Sequence, residues 1–172
     1  MASDLLPARN IDTIIGAIAI SAAVGLGVVL SGAADTSSEA SDLTSIVQGL
    51  YGAYANLSYV YPSGTISSAV LINAGKVDKK LVNSTTGVIN SRWNTPITLA
   101  GTAGGNPTAA LTGIPSTACA DLMTDTTLAP YVATIGVTGG TARTPPVDPA
   151  VAATDCGTSG TVALTVTYNP RP

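Results

Sequence analysis

Two cysteines, Cys119 and Cys156, are the residues best suited to form a covalent bond in this 172-residue chain. An even cysteine count in an exported chain favours a disulfide, which would close a loop of roughly 37 residues and stabilise the fold by about 3 to 4 kcal/mol. Two unrelated buried thiols are the alternative. A metal site is disfavoured because two cysteines without a histidine cannot complete a tetrahedral shell. We therefore expect a disulfide, no metal and no cofactor.

Side chains suited to catalysis do not form a recognisable set. The chain has no histidine, which removes the commonest general base. Ser63 or Ser68 could act with a lysine of residues 76–80, but serine is too common here for this pairing to be informative, and those lysines fit a solvated turn. Asp121 and Asp125 are at helical spacing and fit a short surface helix. The sequence predicts that the protein is not an enzyme.

The composition is unusually poor in charge. Charged residues make up 10% of the chain, the formal net charge is −3, and Phe is absent; the mean hydropathy is +0.39. Soluble domains carry about 25% charged residues. Because binding to nucleic acid requires clustered Lys and Arg, no nucleic-acid partner is expected. The composition favours an extracellular, assembled protein.

An apolar segment, Thr13–Leu30, contains 18 residues without a charge. As a helix it would extend roughly 27 Å, close to the hydrocarbon thickness of a bilayer. Residues 1–33 are therefore interpreted as a membrane-anchoring helix and 34–172 as a globular head. Gly25 and Gly27 predict local flexibility, since glycine weakens a helix. Alternatively, the segment is an ordinary membrane anchor that merely tolerates its small residues. A signal peptide cleaved near Ser31–Ala34 is the alternative to a retained helix.

The segment that follows is predicted to continue the same helix. The whole helix would extend from about residue 11 to about residue 60. Apolar residues recur at spacings of three and four, which marks one face of a helix that packs on the head. Polar residues and glycine occupy the opposite face. The residues of the apolar face are Leu43, Ile46, Val47, Leu50, Tyr54, Leu57 and Tyr61.

The rest of the chain predicts strands, turns and two short helices. Strands are expected at Ile97–Ala100, at Tyr131–Val137 with its odd-numbered residues on one side, and at Thr161–Tyr168. Ser116 is a candidate N-cap for one helix, and Asp148–Pro149 begins another that ends at Cys156. The predicted fold class is α+β, with an antiparallel sheet packed on the amphipathic half of the long helix.

The order of these parts resembles a type IV pilin, and within that family the type IVb branch of bundle-forming and conjugative thick-pilus pilins. The segments that carry the resemblance are Ile46–Tyr61, Val70–Asn73, Pro115–Met123 and Pro149–Cys156, followed by the closing strand. It implies the major subunit of an extracellular pilus used in adhesion, aggregation or conjugative contact. Its partners would be other copies of itself, the pilus assembly machinery and inner membrane of a Gram-negative bacterium before assembly, and a host or recipient cell surface. The alternative is a membrane-anchored minor pilin or pseudopilin, or a surface binding module of a secretion system.

Pilins of this family usually carry a cleaved leader ending in Gly and a Glu at the fifth mature position, whereas the fifth residue here is Leu5. Asp12 or Asp4 is the candidate to replace that Glu. In a filament, a carboxylate at Asp12 would pair with the N-terminal ammonium of a neighbour and set the axial register; equally, Asp12 would N-cap the helix. The resemblance places a further group of residues in the contacts between subunits. They are Ile14, Ile15, Gly16, Ile18, Ile20, Val24, Leu26, Val28 and Leu30.

Overall fold

The computed structural model describes residues 36–57, 60–101 and 105–170. The first described element is helix α1, residues 36–54, which continues as a 3-10 turn over Ala55–Leu57. Within the described ranges, no helix is both long and apolar enough to cross a bilayer. The apolar segment Thr13–Leu30 lies outside these ranges. The α-helical part of α1 ends at residue 54, several residues before the predicted end near residue 60.

Seven strands and three further helices follow α1 in the described part of the chain. The strands are β1 (Gly64–Ile66), β2 (Val82–Asn83), β3 (Val88–Ile89), β4 (Ile97–Gly101), β5 (Thr108–Pro115), β6 (Val132–Val137) and β7 (Thr161–Tyr168). The helices are α2 (Ser68–Asn73), α3 (Ser116–Thr124) and α4 (Pro149–Cys156), with a 3-10 turn at Lys79–Leu81.

Five of these strands form one antiparallel sheet in the order β1-β4-β5-β7-β6, and β2 pairs with β3 in a small hairpin. The fold is therefore α+β, as predicted. The strands predicted at Ile97–Ala100 and Thr161–Tyr168 are confirmed as β4 and β7. Along β7, Leu164, Val166 and Tyr168 are fully buried, because alternate residues of a strand face the same side of the sheet.

Strand β6 departs from the predicted alternation. The expected buried side was the odd-numbered residues of Tyr131–Val137, but Val132 and Ile135 are the buried side chains. The pairing of β6 with β7 shifts register between Val132 and Thr134. A bulge of this kind inserts one extra residue and reverses the faces on its two sides. The predicted phase is therefore wrong in the first half of the strand.

Helices α3 and α4 begin in different ways. The carboxylate of Asp148 accepts hydrogen bonds from the backbone N–H groups of Ala150 and Val151, so α4 begins as predicted. Helix α3 begins differently, because Pro115 occupies the N-cap and Ser116 is the first helical residue. The hydroxyl of Ser116 donates to the carbonyl of Ser159 at 2.9 Å instead. The prediction that Ser116 is the N-cap is wrong.

One continuous core joins α1, the five-stranded sheet and α3. Leu43, Ile46 and Leu50 of α1 are fully buried in the same cluster as Leu111 of β5 and Leu164 of β7. Burying apolar surface is worth about 25 cal/mol per Å², and this shared core is what fixes α1 to the head.

Candidate functional site: the buried junction between helix α1 and the head

The predicted packing face is buried except at Leu57. The residues that the structure buries are Leu43, Ile46, Val47, Leu50, Tyr54 and Tyr61. Leu57 is 59% exposed, so the prediction that it packs on the head is wrong. The 3-10 turn at Ala55–Leu57 winds about 120° per residue rather than about 100°. That change carries Leu57 away from the face that the preceding turns bury.

Two carboxylates of α1, Glu39 and Asp42, are buried beside the loop between β3 and β4. Glu39 is fully buried, and its Oε2 accepts a hydrogen bond of 2.7 Å from the backbone N–H of Arg92. Asp42 is 7% exposed and forms an ion pair with the Nε of Arg92. Arg92 thus ties the first turns of α1 to the head through both its backbone and its guanidinium group.

The Glu39 carboxyl has a shifted pKa, mainly because it is buried. Its Oε1 atom is buried and has no hydrogen-bond partner. The pKa of the Glu39 carboxyl is raised to about 7, mainly by burial and to a lesser extent by the Asp42 carboxylate. The hydrogen bond from the Arg92 backbone and the charge of its guanidinium group oppose that shift in pKa. The carboxyl therefore changes its charge near neutral pH.

Two tyrosine hydroxyls connect α1 to the end of the head. Tyr168 on β7 is fully buried and donates a hydrogen bond of 3.3 Å to the carbonyl of Leu43. Its pKa is raised above the usual range, first by burial and then by the nearby charges of Glu39 and Tyr51. Tyr51 donates a hydrogen bond of 2.7 Å to the carbonyl of Asn169. The helix and the strand β7 therefore lie against each other through directional bonds as well as apolar contacts.

A disulfide joins Cys119 on α3 to Cys156 on α4, as predicted. Both cysteines are buried. An ion pair holds α4 from its other side, since Arg143 donates to both carboxylate oxygens of Asp155, at 2.9 and 3.3 Å. The disulfide and the ion pair fasten the segment between α3 and β7 to the sheet.

The lysines and the acid considered as candidate catalytic residues lie at the surface of the head. Lys76, Lys79 and Lys80 are exposed, as expected for a solvated turn, and Asp121 is exposed on α3. No group of three or more His, Cys, Asp or Glu residues that could hold a metal ion occurs in the described ranges.

Asp12, Gly25, Gly27 and the subunit-contact residues predicted within Ile14–Leu30 lie outside the described residues, so their roles stay predictions. The cluster of Glu39, Asp42 and Arg92 was not predicted. Its signal was present in the sequence, because Glu39 lies four residues before Leu43 and seven before Ile46, on the apolar face of α1.

The architecture described above is that of a type IV pilin. The structure of a type IVb pilin from Salmonella typhi matches this chain with a TM-score of 0.55 and 21% identity, covering 76% of this chain and 99% of that chain. TcpA, a type IV pilin from the El Tor biotype of Vibrio cholerae, matches with a TM-score of 0.53 and 14% identity, covering 79% and 99%. These likenesses establish the fold.

The sequence itself establishes the family. Residues 33–169 match the family model described as PilS N terminal, so the chain belongs to that family. The search of curated proteins gives no match. The resemblance to type IVb pilins is thereby confirmed. Family and fold are those of pilins, which are structural proteins.

Proposed function

We propose that this chain is the major structural subunit of a type IVb-like pilus, an extracellular filament used for adhesion, aggregation or conjugative contact. The observation that carries the proposal is the match of residues 33–169 to a pilin family. The apolar segment Thr13–Leu30 precedes that head in the sequence. A head with such a segment has the two parts that a filament needs, an outer surface and a core-forming rod.

In this proposal residues 1–33 anchor the subunit in the inner membrane and then form the filament core, while 34–172 form the outer head. The predicted subunit-contact residues within Ile14–Leu30 would leave their contacts with lipid and pack against the same residues of other copies. Burial at about 25 cal/mol per Å² supplies the affinity. A head-to-tail contact that does not close on itself generates an open helical polymer. Gly25 and Gly27 would let the rod adjust its path as it packs.

In the proposal, force on the head would reach the rod through α1. Since α1 is held by the core, by Arg92 and by the hydroxyls of Tyr51 and Tyr168, a pull on the head is transmitted to α1. The assembly machinery of the inner membrane would act on the rod, and a host or recipient cell surface would meet the head.

The role of Asp12 can be tested with three variants. In the proposal its carboxylate pairs with the N-terminal ammonium of a neighbour and sets the axial register. Asp12→Asn keeps an N-cap but removes the charge, whereas Asp12→Glu keeps the charge. We expect filament yield to fall at least tenfold in Asp12→Asn and Asp12→Ala and to be retained in Asp12→Glu. Normal yield from Asp12→Asn would show that capping is its role.

The filament itself is tested by electron microscopy of surface material sheared from the source cells. Mass spectrometry of the same material should identify this polypeptide as the main component and read its N-terminal residue. Thin fibres built mostly of this chain support the proposal. If the chain is sparse in fibres built of another subunit, or stays in the membrane, it is instead an anchored minor pilin, pseudopilin or binding module.

A further inference from the structure

A polar cleft of about 300 Å³ opens on the head beside the junction. The 3-10 turn at Lys79–Leu81, the β2–β3 hairpin and the loop before β4 form its walls. The polar residues that line it are Lys80, Asn83, Asn90, Ser91, Arg92 and Asn94. The cleft therefore brings three asparagine amides, which are planar hydrogen-bonding groups, to one opening.

The loop that carries two of these asparagines is held in a defined shape. Asn90 donates its side-chain N–H to the Oδ1 of Asn94 at 3.1 Å, and the hydroxyls of Ser91 and Thr95 are 2.7 Å apart. Asn94 has a φ of 59°, in the left-handed region that a non-glycine residue rarely occupies. Asparagine occupies this region more readily than other non-glycine residues, so its identity suits this turn.

The cleft presents both donors and acceptors. Oδ1 of Asn83 accepts from the backbone N–H groups of Thr85 and Thr86, which leaves its amide nitrogen as a donor. Among the described residues, the amide nitrogen of Asn94 and the Oδ1 of Asn90 make no hydrogen bond within the structure. Such amides can meet a ligand that donates and accepts at neighbouring atoms.

The cations of the cleft already face carboxylates. The Nζ of Lys80 lies 3.1 Å from an oxygen of Asp78, and Arg92 pairs with Asp42. An anionic ligand would have to compete with these acids for the same charges. A neutral ligand would not.

We propose that this cleft binds a neutral saccharide unit. Sugar hydroxyls both donate and accept hydrogen bonds, which is what the amides of Asn83, Asn90 and Asn94 together require. A volume of about 300 Å³ lies at the small end of ligand sites, so it suits a single sugar ring. The inference goes beyond the proposed pilus role and does not depend on it, since the unassembled subunit carries the whole cleft.

Saturation-transfer NMR on the purified full-length chain tests the inference. The chain is held in a zwitterionic detergent, because maltoside or glucoside detergents would present sugar themselves. The probes are glucose, galactose, mannose and N-acetylglucosamine, each at about 10 mM, since a ligand of a dozen heavy atoms binds with a Kd of roughly millimolar order. N-acetylneuraminic acid and glucose 6-phosphate form the charged comparison. We expect transfer to at least one neutral sugar, unchanged by added salt.

Variants separate the cleft from the rest of the head. Asn94→Gly removes the amide and with it the hydrogen bond from Asn90, while glycine accepts the same positive φ, so we expect a folded variant with at least tenfold weaker binding. Asn73→Ala removes an exposed asparagine of α2 outside the cleft and should bind as the unmodified chain does. Lys80→Gln should change binding less than threefold.

Three results would overturn the inference. One is the absence of transfer to every neutral sugar, and another is unchanged binding by a folded Asn94→Gly variant. The third is binding confined to the charged sugars and lost in high salt, which would make the cleft an anion site. Filament formation is not measured in this experiment, so its outcome is independent of the pilus proposal.

Discussion

Replacing Glu39 by Gln should remove a specific part of the pH dependence of folding. The folded chain raises the pKa of this carboxyl from its ordinary value of 4.5 to about 7, so it binds the proton more tightly than the unfolded chain does. Stability therefore falls as the pH rises from about 4.5 to about 7 and levels off above that. This sign is opposite to that of a carboxylate stabilised by a salt bridge.

The magnitude follows from the shift in pKa. Each unit corresponds to about 1.4 kcal/mol, and integrating the linkage between pH 5 and pH 8 gives a loss of about 2.5 kcal/mol in the free energy of unfolding. No discount for solvent is needed, because Glu39 is fully buried. At about 3 °C per kcal/mol for a head of this size, the melting temperature should fall by roughly 7 °C over that range.

Glu39→Gln keeps an oxygen that can accept the N–H of Arg92 and cannot ionise. We expect its stability to change about 2.5 kcal/mol less than that of the unmodified chain between pH 5 and pH 8, whatever its absolute stability. Thermal unfolding of the full chain in detergent, followed by near-ultraviolet circular dichroism at each pH, measures this. Asp121→Asn, which alters an exposed carboxylate on α3, is the matched control and should follow the unmodified chain.

Equal pH dependence in Glu39→Gln and the unmodified chain would refute the reasoning. It would mean that Glu39 stays ionised in the folded chain, with Arg92 compensating both carboxylates. Asp42, Arg92 and Tyr168 are the charged or titratable groups that interact with Glu39.

Three further predictions concern the head. Replacing both Cys119 and Cys156 by Ala opens a loop of 37 residues and should lower the free energy of unfolding by about 4 kcal/mol. Equal stability of the double variant and the unmodified chain in denaturant titrations would contradict this. Gly101→Ala places a Cβ 2.7 Å from a backbone carbonyl oxygen, so a loss of about 1 to 3 kcal/mol is expected in denaturant titrations. Tyr61→Phe should leave stability equal or raise it by about 1 kcal/mol, because the Tyr61 hydroxyl is buried without a partner. Tyr168→Phe should instead lower the free energy of unfolding by about 1 kcal/mol, since it removes the hydrogen bond to the carbonyl of Leu43. A melting temperature higher in Tyr168→Phe than in Tyr61→Phe would contradict this prediction.

Much of the fold could be predicted because its signals are local. The alternation in Thr161–Tyr168 and the Asp148–Pro149 helix start depend on neighbours a few residues apart, and both are present as predicted. The bulge in β6 could not be predicted, because it depends on how that strand pairs with β7. Leu57 was misplaced because helical periodicity cannot show where a helix tightens into a 3-10 turn.

The candidate site was harder to predict than the fold. Glu39 lies within a polar run, and its charge suggested a solvated surface although its spacing from Leu43 and Ile46 placed it on the buried face. Its partner Arg92 is 53 residues away in the sequence, so no local pattern joins the two. The asparagines of the cleft come from a hairpin and a loop that only tertiary structure brings to one opening.

The position of β7 determines when the head can complete its fold. This strand follows the other six described strands in the chain but occupies an inner place in the sheet, between β5 and β6, and its Tyr168 reaches back to the backbone of α1. Until that strand arrives, β5 and β6 lack the neighbour that they share, and the apolar face of α1 lacks part of its cover. A polypeptide truncated before Thr161 would therefore expose apolar surface and unpaired strands, and proteases would readily degrade it. Addition of β7 is thus a precondition for a stable head.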